Sequence, residues 1–267
     1  MRAVALGADV IVFVSDMWQT TCTAVRGGGE GFVIDSVLYP EELRALPSVL
    51  EQAGFPVSGL LATHGDWDHL LGRLAFPGAA LGCGDATVER LGTELGQAQR
   101  ELREFDAEHY VDGRGPLALG SLQSLPVPGH LEIGSGAEAY EIELHPTGGH
   151  TADGVAFWLA WARVLVCGDY LSPVEIPALS PGGSITVYHA TLERLRPLAE
   201  QAEWVVPGHG APYPGRRALE ILAEDEAYLT ALTADPDAVT LPAGRATVPQ
   251  KRMHAENAAF ARGLESS

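Results

Sequence analysis

Four groups able to bind a cation fall within six residues of the stretch "LLATHGDWDHLLG": His64, Asp66, Asp68 and His69, directly after an apolar run. A divalent cation needs several lone-pair donors converging on one point. Imidazole and carboxylate are the usual suppliers, and loops at strand ends are where distant parts of a chain meet. Three more loops share this setting: His150 in "GGHTADG", Asp169 in "VCGDYL" and His209 in "VVPGHGAP", each following a strand-like segment. Taken singly, each has an ordinary explanation. A histidine in a glycine loop is a turn residue, Asp169 caps the next segment, and Asp68 accepts backbone amides in a tight turn. Taken together, the repeated context points to one cation-binding centre.

Those loops need strands and helices to hold them. "DVIVFVSD", "TTCTAVRG" and "GFVID" read as strands, with "GGGEG" a turn between the last two. "PEELRALPSVLEQAGF" reads as a helix that opens at Pro40 and ends at Gly54; Pro47 interrupts its pattern, so a kink or a later start is expected. "VSGLLAT" is a buried strand leading into the His64 loop, and "GAALGCG" is another short strand. "DATVERLGTELGQAQRELREF" is a polar helix with Asp85 as its N-cap and a break at Gly92 or Gly96. Tyr110 to Gly136 is turn-rich. "AEAYEIELHPT" alternates as a strand, and "GVAFWLAW" and "RVLVCGD" form a hairpin through Ala162. "YHATLERLRPLAEQA" is helical, "EWVVPGHG" is a strand ending in a loop, and "GRRALEILAEDEAYLTALTAD" and "PQKRMHAENAAFARG" are helices. Two β-rich halves with helices outside make an α/β protein. We expect a four-layer αβ/βα sandwich of two mixed sheets, forming a single domain over residues 1–267, with a doubly wound sheet as the rival.

Composition narrows the function. A net charge of −18 disfavours a nucleic-acid partner, because phosphate repels such a surface. The start, "MRAVALGADVIVFVSD", lacks the uninterrupted apolar core and cleavage site of a signal peptide, and no apolar run has the length of a membrane span. Cys22, Cys83 and Cys167 are odd in number and widely spaced, which reads as three buried thiols. The expectation is a cytoplasmic protein acting on a small-molecule substrate, with no nucleic-acid or membrane partner; the oligomeric state has no sequence signature.

The ligand set resembles that of the metallo-β-lactamase fold superfamily, whose hallmark is His-x-His-x-Asp-His after a strand, then a distant His, an Asp and a final His. "HGDWDH", "GGHT", "CGD" and "PGHG" occupy those places, "FVID" ending at Asp35 resembles the family's early strand, and "HAENAAFARG" resembles a terminal helix of many members. The likeness spans residues 10 to 262, and its later motifs are most similar to the glyoxalase II and general metallo-hydrolase branch. It implies that His64, Asp66 and His150 hold a first metal, that Asp68, His69 and His209 hold a second, and that Asp169 bridges them. It also implies two divalent ions, zinc first with manganese or iron as alternatives, and hydrolysis of an ester, thioester, lactone, amide or phosphoester. Asp68 would orient the nucleophile.

Asp66 stands where the family usually has histidine. Three outcomes differ physically: Asp66 binds metal through oxygen, it is too short to reach, or it only orients a neighbour. The first is favoured, because flavodiiron proteins (His-x-Glu-x-Asp-His) and the competence-protein nuclease domain (His-x-Asp-x-Asp-His) resemble it. Those branches supply the rival functions of diiron oxidoreductase and phosphodiesterase, beside that of a non-catalytic metal-binding protein. Other residues read as structural. His189 is a surface or capping histidine, His145 ends a half-exposed strand, Tyr188 and Trp67 are core pieces or pocket walls, and "RGGGEG" is a hairpin turn.

Overall fold

The central strand segments Val10–Val14 and Val155–Leu159 are apolar throughout, because both of their faces are covered, and successive side chains go to opposite faces. The computed structural model describes residues 1–136 and 139–263. Among them, β1 (Arg2–Ala5), β2 (Val10–Val14), β3 (Thr21–Gly27) and β4 (Glu30–Asp35) form an antiparallel meander. The β3–β4 turn needs positive φ at two successive positions, which Gly28 and Gly29 supply. After α1 (Pro40–Gln52), strands β5 (Gly59–Leu61), β6 (Leu81–Gly84) and β7 (Leu122–Leu125) add in parallel, completing a sheet of order β1-β2-β3-β4-β5-β6-β7.

The second sheet has the order β13-β12-β11-β10-β9-β8. It comprises β8 (Gly129–Ile133), β9 (Tyr140–Pro146), β10 (Val155–Leu159), β11 (Val164–Val166), β12 (Trp204–Val206) and β13 (Tyr213–Pro214). Only β11 and β12 pair in parallel, with α5 (Ile185–Gln201) as their crossover. Val10, Val12 and Val14 of β2 share a buried cluster with Val155, Phe157 and Leu159 of β10, so this cluster is the layer between the sheets. The intervening residues face outwards. Phe13 packs with Leu43, Leu46 and Leu50 of α1, while Ala156 and Trp158 pack with α5 and with α6 (Gly215–Ala234). This is the expected four-layer sandwich.

Several local expectations need correction. α1 runs without a break through Pro47: its buried Leu43, Leu46 and Leu50 hold the turn despite the hydrogen bond that Pro47 cannot donate. The polar helix divides at Gly96, whose φ is +76°, into α3 (Asp85–Thr93) and α4 (Gln97–Glu108), with the short α2 (Gly72–Ala75) before them; Gly92 lies inside α3. Gly84 is the N-cap of α3, and Asp85 is its first residue. β1, β13 and the two strands of the turn-rich region, β7 and β8, have no counterpart among the sequence-based expectations.

Candidate functional site

All seven expected ligands lie at one edge of the sandwich, in loops that leave the ends of β5, β9, β11 and β12. The edge is laced together by the backbone. Thr21 N donates to Gly208 O (2.8 Å), Thr21 Oγ1 to Pro207 O (2.6 Å), and Gly208 N to Gly168 O (2.6 Å). A Cβ at Gly208 would collide with Asp169 Oδ1, so glycine is what lets the last loop approach the centre.

Asp169 is the hub. Its carboxylate oxygens lie 3.7 Å from His64 Nε2, 3.2 Å from His69 Nε2, 3.3 Å from His150 Nε2 and 3.5 Å from His209 Nε2. On one side, Asp66 Oδ2 is 3.5 Å from His64 Nε2 and 3.3 Å from His150 Nε2. On the other, Asp68 Oδ2 is 3.6 Å from His69 Nε2 and 3.4 Å from His209 Nε2. The donor atoms of His64, Asp66 and His150 lie within 4.8 Å of one another, and so do those of Asp68, His69 and His209. Asp66 is therefore long enough to reach the first group.

The far sides of the rings are held as well. His150 Nδ1 meets Ala178 O at 2.9 Å, His209 Nδ1 meets Trp18 O at 3.2 Å, and His69 Nδ1 lies 3.1 Å from Asp35 Oδ2. Thr63 Oγ1 donates to Asp35 Oδ2 (2.9 Å) and so accepts from His64 Nδ1 (3.0 Å). With Nδ1 of His64, His150 and His209 donating to an acceptor, the Nε2 lone pair of those rings points inwards, and at His69 the Asp35 carboxylate beside Nδ1 favours the same tautomer. His64 Nε2, His69 Nε2, His150 Nε2 and Asp169 Oδ1 are buried with no hydrogen-bond partner. Buried polar atoms are seldom left so, and here they converge, which fits divalent cations.

Electrostatics agree. Burial works against a charged ring at His209, but Glu175 and Asp169 outweigh it and raise the pKa to about 10. The rings of His69 and His150 also stand well above the ordinary histidine value: burial opposes the charge, and Asp169, with Asp68 for the first and Asp66 for the second, more than restores it. Burial disfavours the charged form of Asp66 and of Asp169 too, yet the surrounding imidazoles hold both carboxyls well below their usual range. The centre is thus short of positive charge unless protons or cations supply it.

Some functional neighbours carry no sequence signal of their own. Arg90, from α3, places Nη2 2.9 Å from Asp66 Oδ1 and Nη1 2.9 Å from Asp153 Oδ1. Asp153 sits in the quoted "GGHTADG", where the histidine alone draws the eye, and its Oδ2 accepts from Gly65 N (2.9 Å). A cavity of about 530 Å³ opens over the centre. Asp66, Trp67 and Asp68 line it, together with Ser180 and α4 residues including Arg100 and Glu101. Trp67 is therefore a pocket wall. Tyr188 is buried in the core and donates to Asp169 O (3.2 Å). His145 ends a half-buried strand edge beside Glu143, and the three cysteines are free and buried. Among the described residues, no helix is long and apolar enough to cross a membrane.

Residues 15–209 match the sequence profile of the metallo-beta-lactamase superfamily. A hydroxyacylglutathione hydrolase of Rhodospirillum rubrum is 32% identical over 225 residues, which are 84% of this chain and 74% of that protein. The Brucella ovis protein of the same name is 24% identical over 211 residues, 79% of this chain and 65% of its own length, so the match leaves over a third of that relative uncovered. Among solved structures, a metallo-beta-lactamase family protein from Thermus thermophilus superposes with a TM-score of 0.65 at 22% identity, covering 86% of this chain and 83% of the other.

Proposed function

The chain belongs to the metallo-β-lactamase superfamily, and from that membership we propose a two-metal hydrolase that cleaves a small polar thioester or ester. The observation that carries this reading is the convergence of unpaired Nε2 atoms and an unpaired Asp169 oxygen beside an open cavity that Asp66 and Asp68 line. His64, Asp66 and His150 would hold one cation, Asp68, His69 and His209 the other, with Asp169 between them. Zinc is the first choice, and manganese or iron are the alternatives. Bound there, the cations would acidify a water and polarise the substrate carbonyl.

The chain's own groups do the rest. The hydrogen bonds at Nδ1 hold the rings of His64, His150 and His209 with their Nε2 lone pairs inwards, and the Asp35 carboxylate faces Nδ1 of His69 at 3.1 Å. Asp68 lies at the boundary between cluster and cavity, where its carboxylate orients the attacking water by accepting a hydrogen bond. Asp169 keeps the two halves in register. The cavity wall carries both signs of charge beside apolar surface from Trp67 and Pro181, which suits a leaving group with polar and apolar parts. The name of the Rhodospirillum relative makes a glutathione thioester the first substrate to try. The superfamily's name does not imply a β-lactam, since chemistry is set by the site and not by the fold. Free, buried cysteines agree with a cytoplasmic setting.

The test is elemental analysis of purified protein together with a panel of thioester, lactone, amide and phosphodiester substrates. Two metal equivalents and thioester turnover that a chelator abolishes are expected. Protein that takes up less than one equivalent from excess zinc, manganese and iron would sink the reading.

A further inference from the structure

Asp66 is the unusual donor of the cluster, and its carboxylate is also shared with a residue outside it. Oδ2 faces His64 Nε2 and His150 Nε2 at 3.5 and 3.3 Å, while Oδ1 lies 2.9 Å from Arg90 Nη2. Arg90 is itself fixed on its other edges. Nη1 meets Asp153 Oδ1 at 2.9 Å, and Nε meets Glu94 Oε2 at 3.1 Å. Asp153 is buried and holds the backbone N–H of Gly65, the residue before Asp66. The guanidinium and Asp153 therefore grip both the side chain of Asp66 and the turn that carries it.

A free carboxylate can chelate with both oxygens, which suits cations that accept many oxygen ligands; an imidazole offers one donor. With Oδ1 held in a 2.9 Å ion pair by the Arg90 guanidinium, Asp66 has a single oxygen left for the centre. Building on the metal-centre reading above, we propose that Arg90 is a positioning residue that makes Asp66 a one-oxygen ligand. It thereby tilts the first cation site towards four-coordinate zinc and away from manganese. The role needs arginine. One planar fork serves two carboxylates at once, which a lysine ammonium on a flexible stem does not reproduce. The competing explanation is that Arg90 only neutralises buried Asp153.

The test is zinc-against-manganese competition, read as bound metal by elemental analysis, on the wild type, Arg90→Lys, Asp66→His and the double variant. Arg90→Lys keeps a cation for Asp153, so the fold is retained while the fork is lost. Its zinc-over-manganese ratio should fall roughly ten-fold, the lower end of what a partner of a metal ligand typically governs. In the Asp66→His background no Oδ1 remains to be held, so the same substitution should leave the ratio unchanged. A wild-type ratio in Arg90→Lys overturns the proposal, and so does an equal fall in both backgrounds, which would assign the effect to Asp153. Wild-type protein that binds no metal overturns the metal-centre reading itself, whereas two bound equivalents with an unmoved ratio overturn only the role of Arg90.

Discussion

His69 shows how far one side chain's geometry depends on another. Its Nδ1 lies 3.1 Å from Asp35 Oδ2, and Asp35 is held by Thr63 N (2.7 Å) and Thr63 Oγ1 (2.9 Å). Asp35 adopts φ +58°, a conformation that asparagine also tolerates, so Asp35→Asn changes the charge with little backbone cost. Metal affinity should fall about 10- to 100-fold, measured by competition with a chromogenic chelator, because the ring loses the negative charge that faces its Nδ1. At Asp66, substitution by histidine should keep two metal equivalents and move preference towards zinc, while Asp66→Ala should lose one equivalent; elemental analysis decides. Loss of binding in Asp66→His but not in Asp66→Ala would remove Asp66 from the ligand set. The seven candidate positions that the fold brings together were legible because each stands in a strand-end loop of recognisable composition. Arg90 and Asp153 were not. Their contacts join residues 63 apart in the chain, and an arginine inside a polar helix looks locally like any solvated charge.

The segment 172–180 is the element that links the end of the chain to the centre. It supplies Ala178 O to His150 Nδ1, and Ser172 Oγ donates to His209 O (2.7 Å). It is clamped from outside by Arg245, which donates to Glu175 O (2.8 Å), and by two residues of the last helix, α7 (Val248–Ala261). Gln250 Nε2 donates to Val174 O (2.7 Å); Asn257 donates to Pro177 O (2.6 Å) and accepts from Leu179 N (3.0 Å), on either side of Ala178. Asn257→Ala leaves those backbone groups unpaired, at a cost of about 1–3 kcal/mol. Chemical denaturation of metal-free protein should show that loss, and metal titration should show weaker binding from the side of His150. Unchanged affinity alongside lowered stability would mean that the clamp is purely structural. The α7 sequence was readable as a helix, but nothing in it announced this contact between residues 78 apart. The strands that escape a sequence reading do so for a similar reason. β7 and β8 are short and exposed on some or all of their middle residues, in a stretch whose Gly and Pro content signals turns, so their pairing is decided by the neighbouring strands and not by local preference. Pro47 and Pro197 lie inside helices because packed apolar stripes outweigh a lost backbone hydrogen bond.

For the whole molecule, the centre couples stability to pH and to metal. His209 titrates near 10 in the fold, against about 6.5 when unfolded. A group whose pKa is raised by folding contributes its full stabilisation below the unfolded value and loses it as pH climbs through the folded one. Metal-free protein should therefore become less stable between about pH 6.5 and 10, as the imidazoles lose the protons that balance Asp169 and its neighbours. Asp66 and Asp169 are lowered instead, so their contribution is complete above the usual carboxylate pKa and disappears only in strong acid. Asp225, which burial pushes up to about 7 against the pull of Arg245, confines its own loss to lower pH, and the thiols of Cys22, Cys83 and Cys167, which burial pushes up, lose stability at the alkaline end with or without metal, so the difference between loaded and metal-free protein is what reports the histidines. Cations replace those protons and require neutral rings, hence the melting temperature of loaded protein should fall less than that of metal-free protein across about pH 7 to 9.5. At a free metal concentration about a hundred times Kd, each site adds about 2.7 kcal/mol. Calorimetry with zinc and with chelator should show the gap between the two melting temperatures widening with pH; a gap that narrows, or a metal-free protein that grows more stable above about pH 7, would contradict the charge balance assigned to the centre.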